Sequence, residues 1–502
     1  MKNLGLFAAV LSLVFLAACG GGGPANPGPP AAGFTNASFS GSYVFTMTGQ
    51  CAAVCPTASP TQSVGYMVAD GNGNITSGSW DVNTGGGDQT VAITGTYAVN
   101  SNGTVNLSLS DSLNTYSFGM MLTGTNGGYI TTADTAWALS GVVEKQSASA
   151  IAAQPTGNYV FRASGVNSGN FSLAIAGAMN FGTGAVIADM NNNGSPITLG
   201  TGSLSSSGYV ATTGRGLLTI SSTSALPSMI FVYYVVDANT LELVSDDATN
   251  SLQGRAELTG GAVASGNVLL GSFAFMSSGF PVTGEIQISE GGIFTGNGAG
   301  SISSGVIDTV FDSQTPEVGS TLTGSGSIST QGGVTRDALT LSPASSTISM
   351  KNPVLWMTSS GRGFFVTLDG DRAEAGTVNI QSGGPFTDSG TYAFGQSGWA
   401  TTAFTGNGDE GLTSITLFKN TGGTVSGYSQ LMNLFGSSTS TTGTGTLSFD
   451  STGTIGSLTL NNTGLGGPED FRFYQYSSSG AFIMEVDPTT VTSGTMTVQT
   501  AQ

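Results

Sequence analysis

The sequence predicts an all-β protein made of four tandem antiparallel β domains of about eight strands each. The stretch Gly41-Ser42-Tyr43-Val44-Phe45 returns in related form at Gly157, Gly271 and Gly390. Apolar residues alternate with Ser, Thr and Asn in short runs such as Thr104-Val105-Asn106-Leu107-Ser108, a period typical of half-buried strands. The chain contains 78 glycines, which supply the turns between such strands.

The N-terminus predicts export. Lys2 is followed by an apolar run from Leu4 to Leu16, too short for a permanent membrane helix, so we interpret residues 1–18 as a signal peptide. The residues Leu16-Ala17-Ala18-Cys19 resemble the lipobox of bacterial lipoproteins. The resemblance implies that Cys19 is lipidated and anchors the mature chain to a membrane. Gly20 stands where such proteins carry Asp for inner-membrane retention, so it implies the outer membrane, with the exposed face undecided.

The repeats divide the rest of the chain. A Gly- and Pro-rich stretch follows the lipobox and predicts a flexible tether. The predicted segments after the signal peptide are the tether at residues 19–36 and four β units at 37–146, 152–262, 266–383 and 386–502. Units of more than a hundred residues are large enough to fold alone. We therefore expect beads on a string, in a chain that is a monomer.

Each unit ends with a second shared pattern, an Asp that precedes a Gly by seven residues. The repeated Asp residues are Asp134, Asp247, Asp369 and Asp487, and the glycines are Gly141, Gly254, Gly376 and Gly494. A glutamine follows at Gln146, Gln381 and Gln499, whereas the second unit has Thr259. An aspartate between two strands is typical of a turn cap that accepts backbone N–H groups, and a fourfold repeat favours this structural role over four active sites.

The opening and closing patterns together predict that the first strand of each unit pairs with the last. Eight such strands form an up-and-down barrel, and the units resemble calycin and avidin folds in strand count and hairpin order. A two-sheet β-sandwich is the alternative, because seven or eight short strands in about 100 residues also fit that architecture.

Cys51 and Cys55 are the cysteines that remain after Cys19. Export exposes them to oxidising conditions, so we expect a disulfide that stiffens one loop. A redox or metal pair is disfavoured because the chain contains no His and no second cysteine pair.

The stretch from Asp70 to Asp81 has oxygen-bearing side chains at the spacing of a calcium loop, at Asp70, Asn72, Asn74 and Asp81. Ile75 stands where that loop needs Gly, and Asn-Gly and Asp-Gly are common hairpin turns. A plain turn is therefore favoured over a calcium site, and no other cofactor is expected. The second unit carries a related stretch from Asp189 to Gly194.

Most catalytic chemistry is disfavoured. The lack of His removes Ser-His-Asp triads and His-based metal centres. Paired acids such as Asp246-Asp247 are adjacent in sequence, which points them to opposite faces of a strand. A carboxylate-based hydrolase is the least favoured function for this reason.

A formal net charge of −18 disfavours nucleic acid as a partner. Aromatic residues in strands favour core positions over sugar-binding platforms; the tryptophans are Trp80, Trp137, Trp356 and Trp399. Two functions remain. The favoured one is a lipid-anchored envelope protein with a structural, adhesive or surface-interaction role. The alternative is a lipoprotein whose barrels each bind a glycan or a small apolar ligand, for which each interior must be open.

Overall fold

Four closed antiparallel barrels of eight strands each make up this protein. The computed structural model describes residues 33–52, 59–85, 87–282, 287–311, 314–344, 349–384, 386, 389–401 and 410–500. The predicted all-β fold with up-and-down barrels is confirmed, and the sandwich alternative is wrong. None of the described residues forms a helix of the length and apolarity needed to cross a membrane.

Barrel 1 follows a short 3₁₀ turn at Asn36–Ser38. Its strands are β1 (Ser40–Cys51), β2 (Ser59–Asp70), β3 (Asn74–Asn83), β4 (Asp88–Ala92), β5 (Thr94–Val99), β6 (Thr104–Ser110), β7 (Thr115–Gly124), β8 (Gly127–Thr132) and β9 (Trp137–Lys145). β4 and β5 both pair with β3 and are separated only by Ile93, so they act as one interrupted strand of an eight-strand ring.

Barrels 2 to 4 have eight uninterrupted strands each. Barrel 2 contains β10 (Asn158–Asn167), β11 (Ser172–Asn180), β12 (Ala185–Asn192), β13 (Ser195–Val210), β14 (Arg215–Ser224), β15 (Met229–Asp237), β16 (Thr240–Ser245) and β17 (Asn250–Leu258). Barrel 3 contains β18 (Leu270–Pro281), β19 (Ile288–Asn297), β20 (Ile302–Phe311), β21 (Glu317–Gln331), β22 (Val334–Pro343), β23 (Pro353–Ser359), β24 (Arg362–Thr367) and β25 (Arg372–Ile380). Barrel 4 contains β26 (Ser389–Ala400), β27 (Glu410–Thr421), β28 (Thr424–Leu434), β29 (Ser437–Phe449), β30 (Ile455–Leu460), β31 (Glu469–Gln475), β32 (Gly480–Glu485) and β33 (Thr490–Val498).

The two repeated patterns of the sequence form the seam that closes each barrel. Phe45 of β1 lies opposite Val143 of β9, and the corresponding phenylalanines of the later barrels lie opposite the closing strand in the same way. The closing glycine sits two positions further along, where Gly141 faces Met47. A Cβ at Gly141 would lie 1.8 Å from the carbonyl oxygen of Thr46, so only glycine permits this close backbone approach.

Side chains fill the barrel interiors. Barrel 1 packs Trp80, Phe118 and Leu139 among other inward residues, and a segment before its first strand adds Phe34 and Phe39 as a plug. The other barrels are plugged in the same manner by Ile151, by Val268 and Leu269, and by Phe386. Barrel 3 keeps an apolar cavity of about 30 Å³ lined by residues such as Phe275 and Leu322. This cavity is much smaller than the roughly 300–1,000 Å³ of a typical small-molecule site.

The barrels pack against one another in a closed ring, which corrects the expectation of beads on a string. Apolar clusters join barrels 1 and 2, 2 and 3, and 3 and 4, and a further cluster joins barrel 4 to barrel 1 through Tyr129, Ala393 and Ile415. The first strand of each barrel, called its opener strand, contributes an apolar residue to one of these four contacts. Its Tyr or Phe residues point into the barrel, whereas the apolar residue between them, Val44, Val160, Ala274 or Ala393, points outward into an interface.

Candidate functional site

The third strand of barrels 1 to 3 inserts a buried carboxylate into the next barrel. Asp81 of β3 accepts hydrogen bonds from Arg215 and from the Tyr234 hydroxyl of barrel 2. Asp189 of β12 accepts hydrogen bonds from Arg336 at 2.7 and 2.9 Å and from the Trp356 indole at 2.9 Å, both in barrel 3. These partners satisfy charges that would otherwise be costly to bury.

Barrel 3 repeats this contact toward barrel 4. Asp308 of β20 accepts from the Tyr474 hydroxyl at 2.6 Å and from Arg472 at 3.1 Å. Barrel 4 has Leu431 at the corresponding position of β28 and packs it against barrel 1. Each barrel therefore presents one face to the next and receives the opposite face of the one before, a head-to-tail arrangement.

In barrels 1, 2 and 4, an asparagine stands two residues after this position on the third strand and also binds the next barrel. The Asn191 amide donates to the carbonyl oxygens of Thr367, Asp369 and Arg372 in barrel 3 at 2.8–2.9 Å. Asn83 does the same at the turn of Asp247 in barrel 2. Asn433 reaches the turn of Asp134 in barrel 1, with distances of 2.9–3.2 Å. The equivalent residue of barrel 3 is Val310, so the contact from barrel 3 to barrel 4 lacks this amide.

The repeated glutamines also cross to the next barrel. Gln146 donates to Thr213 O and Val235 O of barrel 2, both at 2.8 Å. Gln381 donates to Gln475 O of barrel 4 at 2.7 Å. Gln499 donates to Asn102 O and Leu122 O of barrel 1, at 3.0 and 2.7 Å. These glutamines hold adjacent barrels together, including the pair that no peptide linker joins.

The opener strand of each barrel and its last strand, called the closer strand, surround a central cavity of about 610 Å³ between the four barrels. Its wall is built largely from small residues. A hydroxyl lies seven residues after each opener glycine, at Thr48, Ser164, Ser278 and Ser397, and a glycine follows it each time. At Gly165 a Cβ would lie 2.0 Å from Ser251 O, so the opener strand lies against the closing strand without room for a side chain. This second glycine repeat is the sequence signal for the cavity wall.

A charged cluster lines the cavity where barrels 1, 2 and 3 meet. Arg255 of barrel 2 bonds Glu144 of barrel 1 at 2.9 Å, and Arg362 of barrel 3 bonds Glu257 of barrel 2 at 2.6 Å. Burial raises the pKa of Glu242, a further partner of Arg255, to about 8, so this carboxyl tends to hold a proton at neutral pH. With Glu242 protonated, the carboxylates of Glu144 and Glu257 balance the charges of Arg255 and Arg362.

Arg162 is the arginine of this cluster for which no carboxylate partner is found among the described residues. Its guanidinium lies 5.7 Å from the centre of the Phe364 ring, and its Nε makes no hydrogen bond there. Burial lowers the pKa of Arg162 to about 10, which leaves it a cation at neutral pH. The cavity is also lined by Trp399 and Phe280, whose rings meet edge to face at 6.3 Å. The cavity thus offers cations, hydroxyls and an aromatic face.

Comparisons with known proteins do not assign this arrangement. No protein-family model matches the chain, and no curated protein matches its sequence. Among solved structures, the chain is similar to a double mutant of the vaccine antigen Transferrin Binding Protein B from Haemophilus parasuis Hp5, with 11% identity, 81% of this chain and 86% of that chain covered, and a TM-score of 0.20. A protein of unknown function from the DUF3598 family of Nostoc punctiforme PCC 73102 has 13% identity over 46% of this chain and 98% of its own, with a TM-score of 0.14. Scores this low carry no argument about function.

The four residues of the weaker calcium interpretation, Asp70, Asn72, Asn74 and Asp81, serve two different parts of the structure. Asp70 accepts the backbone N–H groups of Asn72 and Asn74 at 2.7 and 3.0 Å and the Asn74 amide at 2.7 Å, as in a plain turn. Asp81 lies opposite Val64 on the sheet, several residues along the strand, and serves the interface with barrel 2. No group of three or more His, Cys, Asp or Glu side chains in the described part of the chain is arranged to hold a metal ion.

The repeated aspartates accept backbone N–H groups, the role that the sequence predicts for them. Asp134 accepts from Ala136 in its own turn and from Ser117 near the start of β7, the sixth strand of the eight-strand ring. Asp247, Asp369 and Asp487 each accept from the same point of their own barrel. Each carboxylate therefore holds its own turn in place. In three of the four barrels, that turn is the one that the asparagine of the preceding barrel binds.

The remaining predicted sites are placed as follows. Cys51 is buried at the end of β1 and disulfide-bonded, while Cys55 and the lipidation residue Cys19 lie outside the described residues. The pairing with Cys55 stays a prediction. Trp80 and Trp137 are in the core of barrel 1, Trp356 is buried between barrels 2 and 3, and Trp399 lines the central cavity.

Proposed function

We propose that the protein is an exported, lipid-anchored envelope protein whose four barrels act as one rigid interaction body. The observation that carries this proposal is the closed ring, in which barrel 4 docks on barrel 1 through Asn433, Gln499 and the Tyr129 cluster. A ring with filled barrels resists bending and cleavage and presents a fixed outer surface. The Leu16-Ala17-Ala18-Cys19 segment supports the anchor, and the lack of His supports a non-catalytic role.

The anchor is tested by labelling cells with an alkyne analogue of palmitate. The wild-type chain is expected to carry the label and to fractionate with membranes, whereas Cys19→Ser is expected to lose the label and appear in the soluble fraction. Cys51→Ser is the control and should keep both label and fraction. An unlabelled wild-type chain in the soluble fraction would contradict the proposal.

Rigidity is tested separately by small-angle scattering of the purified soluble domain, residues 33–502. The expected maximum dimension is that of a ring, which is much shorter than four barrels in an extended row. A distribution of extended shapes would refute the rigid body while leaving the anchor untouched.

A second candidate function is binding of a small anionic glycan in the central cavity. The observation that favours it is the buried Nε of Arg162, which has no hydrogen-bond partner among the described residues, in a cavity that is also lined by serine and threonine hydroxyls and by Trp399. Calorimetric titration with short uronic-acid oligosaccharides is expected to show binding that Arg162→Gln weakens at least tenfold. The neutral parent sugars should not bind, and equal affinity of the variant would exclude this site.

A further inference from the structure

One end of the interior of barrel 4 is polar, beyond its apolar core. On β26 the inward residues run from Phe394 to Gln396, and on β32 from Ile483 to Glu485. On β31 Glu469 lies two residues before the inward Phe471, so it also points into the barrel. We refer to the space among Gln396, Glu469, Glu485 and Thr490 as the barrel 4 chamber.

The chamber side chains are buried with oxygen atoms left over. The exposed fractions of Glu469, Glu485 and Gln396 are 1%, 0% and 2%. Glu469 Oε2 accepts a hydrogen bond from Gln430 at 3.0 Å, and Glu485 Oε2 accepts one from Thr492 at 2.9 Å. The Oε1 atoms of both glutamates and both amide atoms of Gln396 have no hydrogen-bond partner in the described part of the chain. Buried polar atoms in this state are costly unless something else meets them.

No cationic side chain of barrel 4 is placed to neutralise the two glutamates. Residues 389–500 contain two cations, Lys419 and Arg472. Lys419 is exposed, and Arg472 points outward to Asp308 of barrel 3.

Barrel 3 neutralises its buried glutamates with an arginine of the same barrel. It also buries two glutamates, Glu290 and Glu374, but Arg372 lies 3.1 and 3.5 Å from them. Met350 N and Ser277 Oγ donate to them as well. Arg372 precedes the closing glycine Gly376 by four residues, and the residue four before Gly494 in barrel 4 is Thr490. The Thr490 hydroxyl lies beside Glu485.

We propose that the barrel 4 chamber binds one Ca²⁺ ion in the place that the Arg372 guanidinium occupies in barrel 3. The ligands are Glu469 Oε1, Glu485 Oε1 and Gln396 Oε1, with the Thr490 hydroxyl as a further donor. These atoms are all oxygens, the ligands of hard cations, and no nitrogen or sulfur donor that favours zinc or copper is among them. Two carboxylates match the charge of a divalent ion. Ca²⁺ is favoured over Mg²⁺ because it accepts irregular coordination and sheds its water more readily.

The proposal is tested on the full soluble domain after EDTA treatment, with CaCl₂ as the titrant. Calorimetry is expected to show one Ca²⁺ per chain, and the denaturant midpoint of unfolding is expected to rise with Ca²⁺ more than with equal Mg²⁺. Glu485→Gln keeps the side-chain shape and is expected to weaken binding at least tenfold. In EDTA this variant should be as stable as wild type or more so, because it removes an uncompensated charge.

Two control variants locate the ion. Asp70→Asn removes the turn carboxylate of the calcium-like loop in barrel 1, and Glu374→Gln removes an equally buried glutamate of barrel 3; both are expected to keep Ca²⁺ affinity. Gln396→Leu is a second chamber variant, expected to weaken binding if Glu485→Gln does not fold. Absence of binding by wild type, or loss of binding in Asp70→Asn with retention in the chamber variants, would overturn the assignment.

Discussion

Barrels 3 and 4 share a fold and a seam, yet they balance buried charge in different ways. Barrel 3 surrounds Glu290 and Glu374 with Arg372 and backbone or hydroxyl donors. Barrel 4 leaves one oxygen of each buried glutamate free. The two pairs lie on different strands, because barrel 4 has Thr492 at the position of Glu374 and carries Glu469 and Glu485 on β31 and β32. Barrels 1 and 2 have Leu139 and Leu252 at the position of Glu374, so the fold requires no charge there.

The largest effect is expected from giving barrel 3 the residue of barrel 4. Arg372→Thr leaves Glu290 and Glu374 buried without their cation, and such a loss costs about 3–5 kcal/mol. Guanidinium unfolding in EDTA should show the loss, and Arg372→Lys, which keeps a positive charge, should lose much less. If the two variants were equally unstable, packing rather than charge would set the difference between the barrels.

The outer faces of the two barrels differ as well. Asn433→Ala leaves three carbonyl oxygens of barrel 1 without their donor and is expected to cost about 1–3 kcal/mol. Hydrogen exchange should then quicken at the contact between barrels 4 and 1. Ser438→Ala is the control at the same contact: it removes one exposed hydroxyl that donates to Ala133 O and should change exchange much less. Equal effects would show that the amide has no special role.

A lone buried carboxyl in barrel 3 is expected to take a proton instead of a metal ion. Burial raises the pKa of Asp337 to about 7, although the nearby Arg336 and the backbone of Ser327 act in the opposite direction. In the unfolded chain the pKa is about 3.9. The native state therefore binds the extra proton between about pH 4 and 7, so the free energy of unfolding should fall as pH rises through that range.

Denaturant midpoints measured from pH 4.5 to 7.5 check this dependence. Asp337→Asn should flatten the slope. Asp450 serves as the control, because despite some burial its turn hydrogen bonds lower its pKa below this range. A slope unchanged in Asp337→Asn would assign the dependence to other carboxyls.

The smallest effect is expected at the repeated glutamines. Gln499→Ala removes two hydrogen bonds to barrel 1, whereas Gln381→Ala removes one to barrel 4. Each typical bond contributes about 0.5–1.5 kcal/mol. Chemical unfolding should show Gln499→Ala to be the more destabilising of the pair. The reverse order would mean that the linker contributes more than the glutamine at the junction of barrels 3 and 4.

The barrels could be predicted because the two strands that close each barrel carry short motifs that are recognisable in the sequence. Gly41 with Phe45 and Asp134 with Gly141 mark strands that must pair, and alternation supplies the strands between them. The ring escaped prediction although its signal is present. Val44 lies between two inward aromatic residues, and a strand with apolar residues on both faces is one that is covered on both sides.

Other features depend on three-dimensional neighbours and leave little trace in the chain. For the stretches that contain Asp81 and Asp189, the residue pattern favoured a plain turn over a calcium loop, and it gave no sign of their partners, which lie more than a hundred residues away in the next barrel. Gln499 repeats the junction glutamine of two other units, and its partners lie in barrel 1.

Head-to-tail closure also fixes the copy number of the repeat. A linear solenoid can gain or lose one unit by gene duplication or deletion and still bury its interfaces. Here every barrel has both faces occupied, so a fifth copy would have no vacant neighbour and a missing copy would leave two complementary faces bare. Once four copies had closed, selection could alter single barrels, as it has in the interiors of barrels 3 and 4, but could no longer change how many there are.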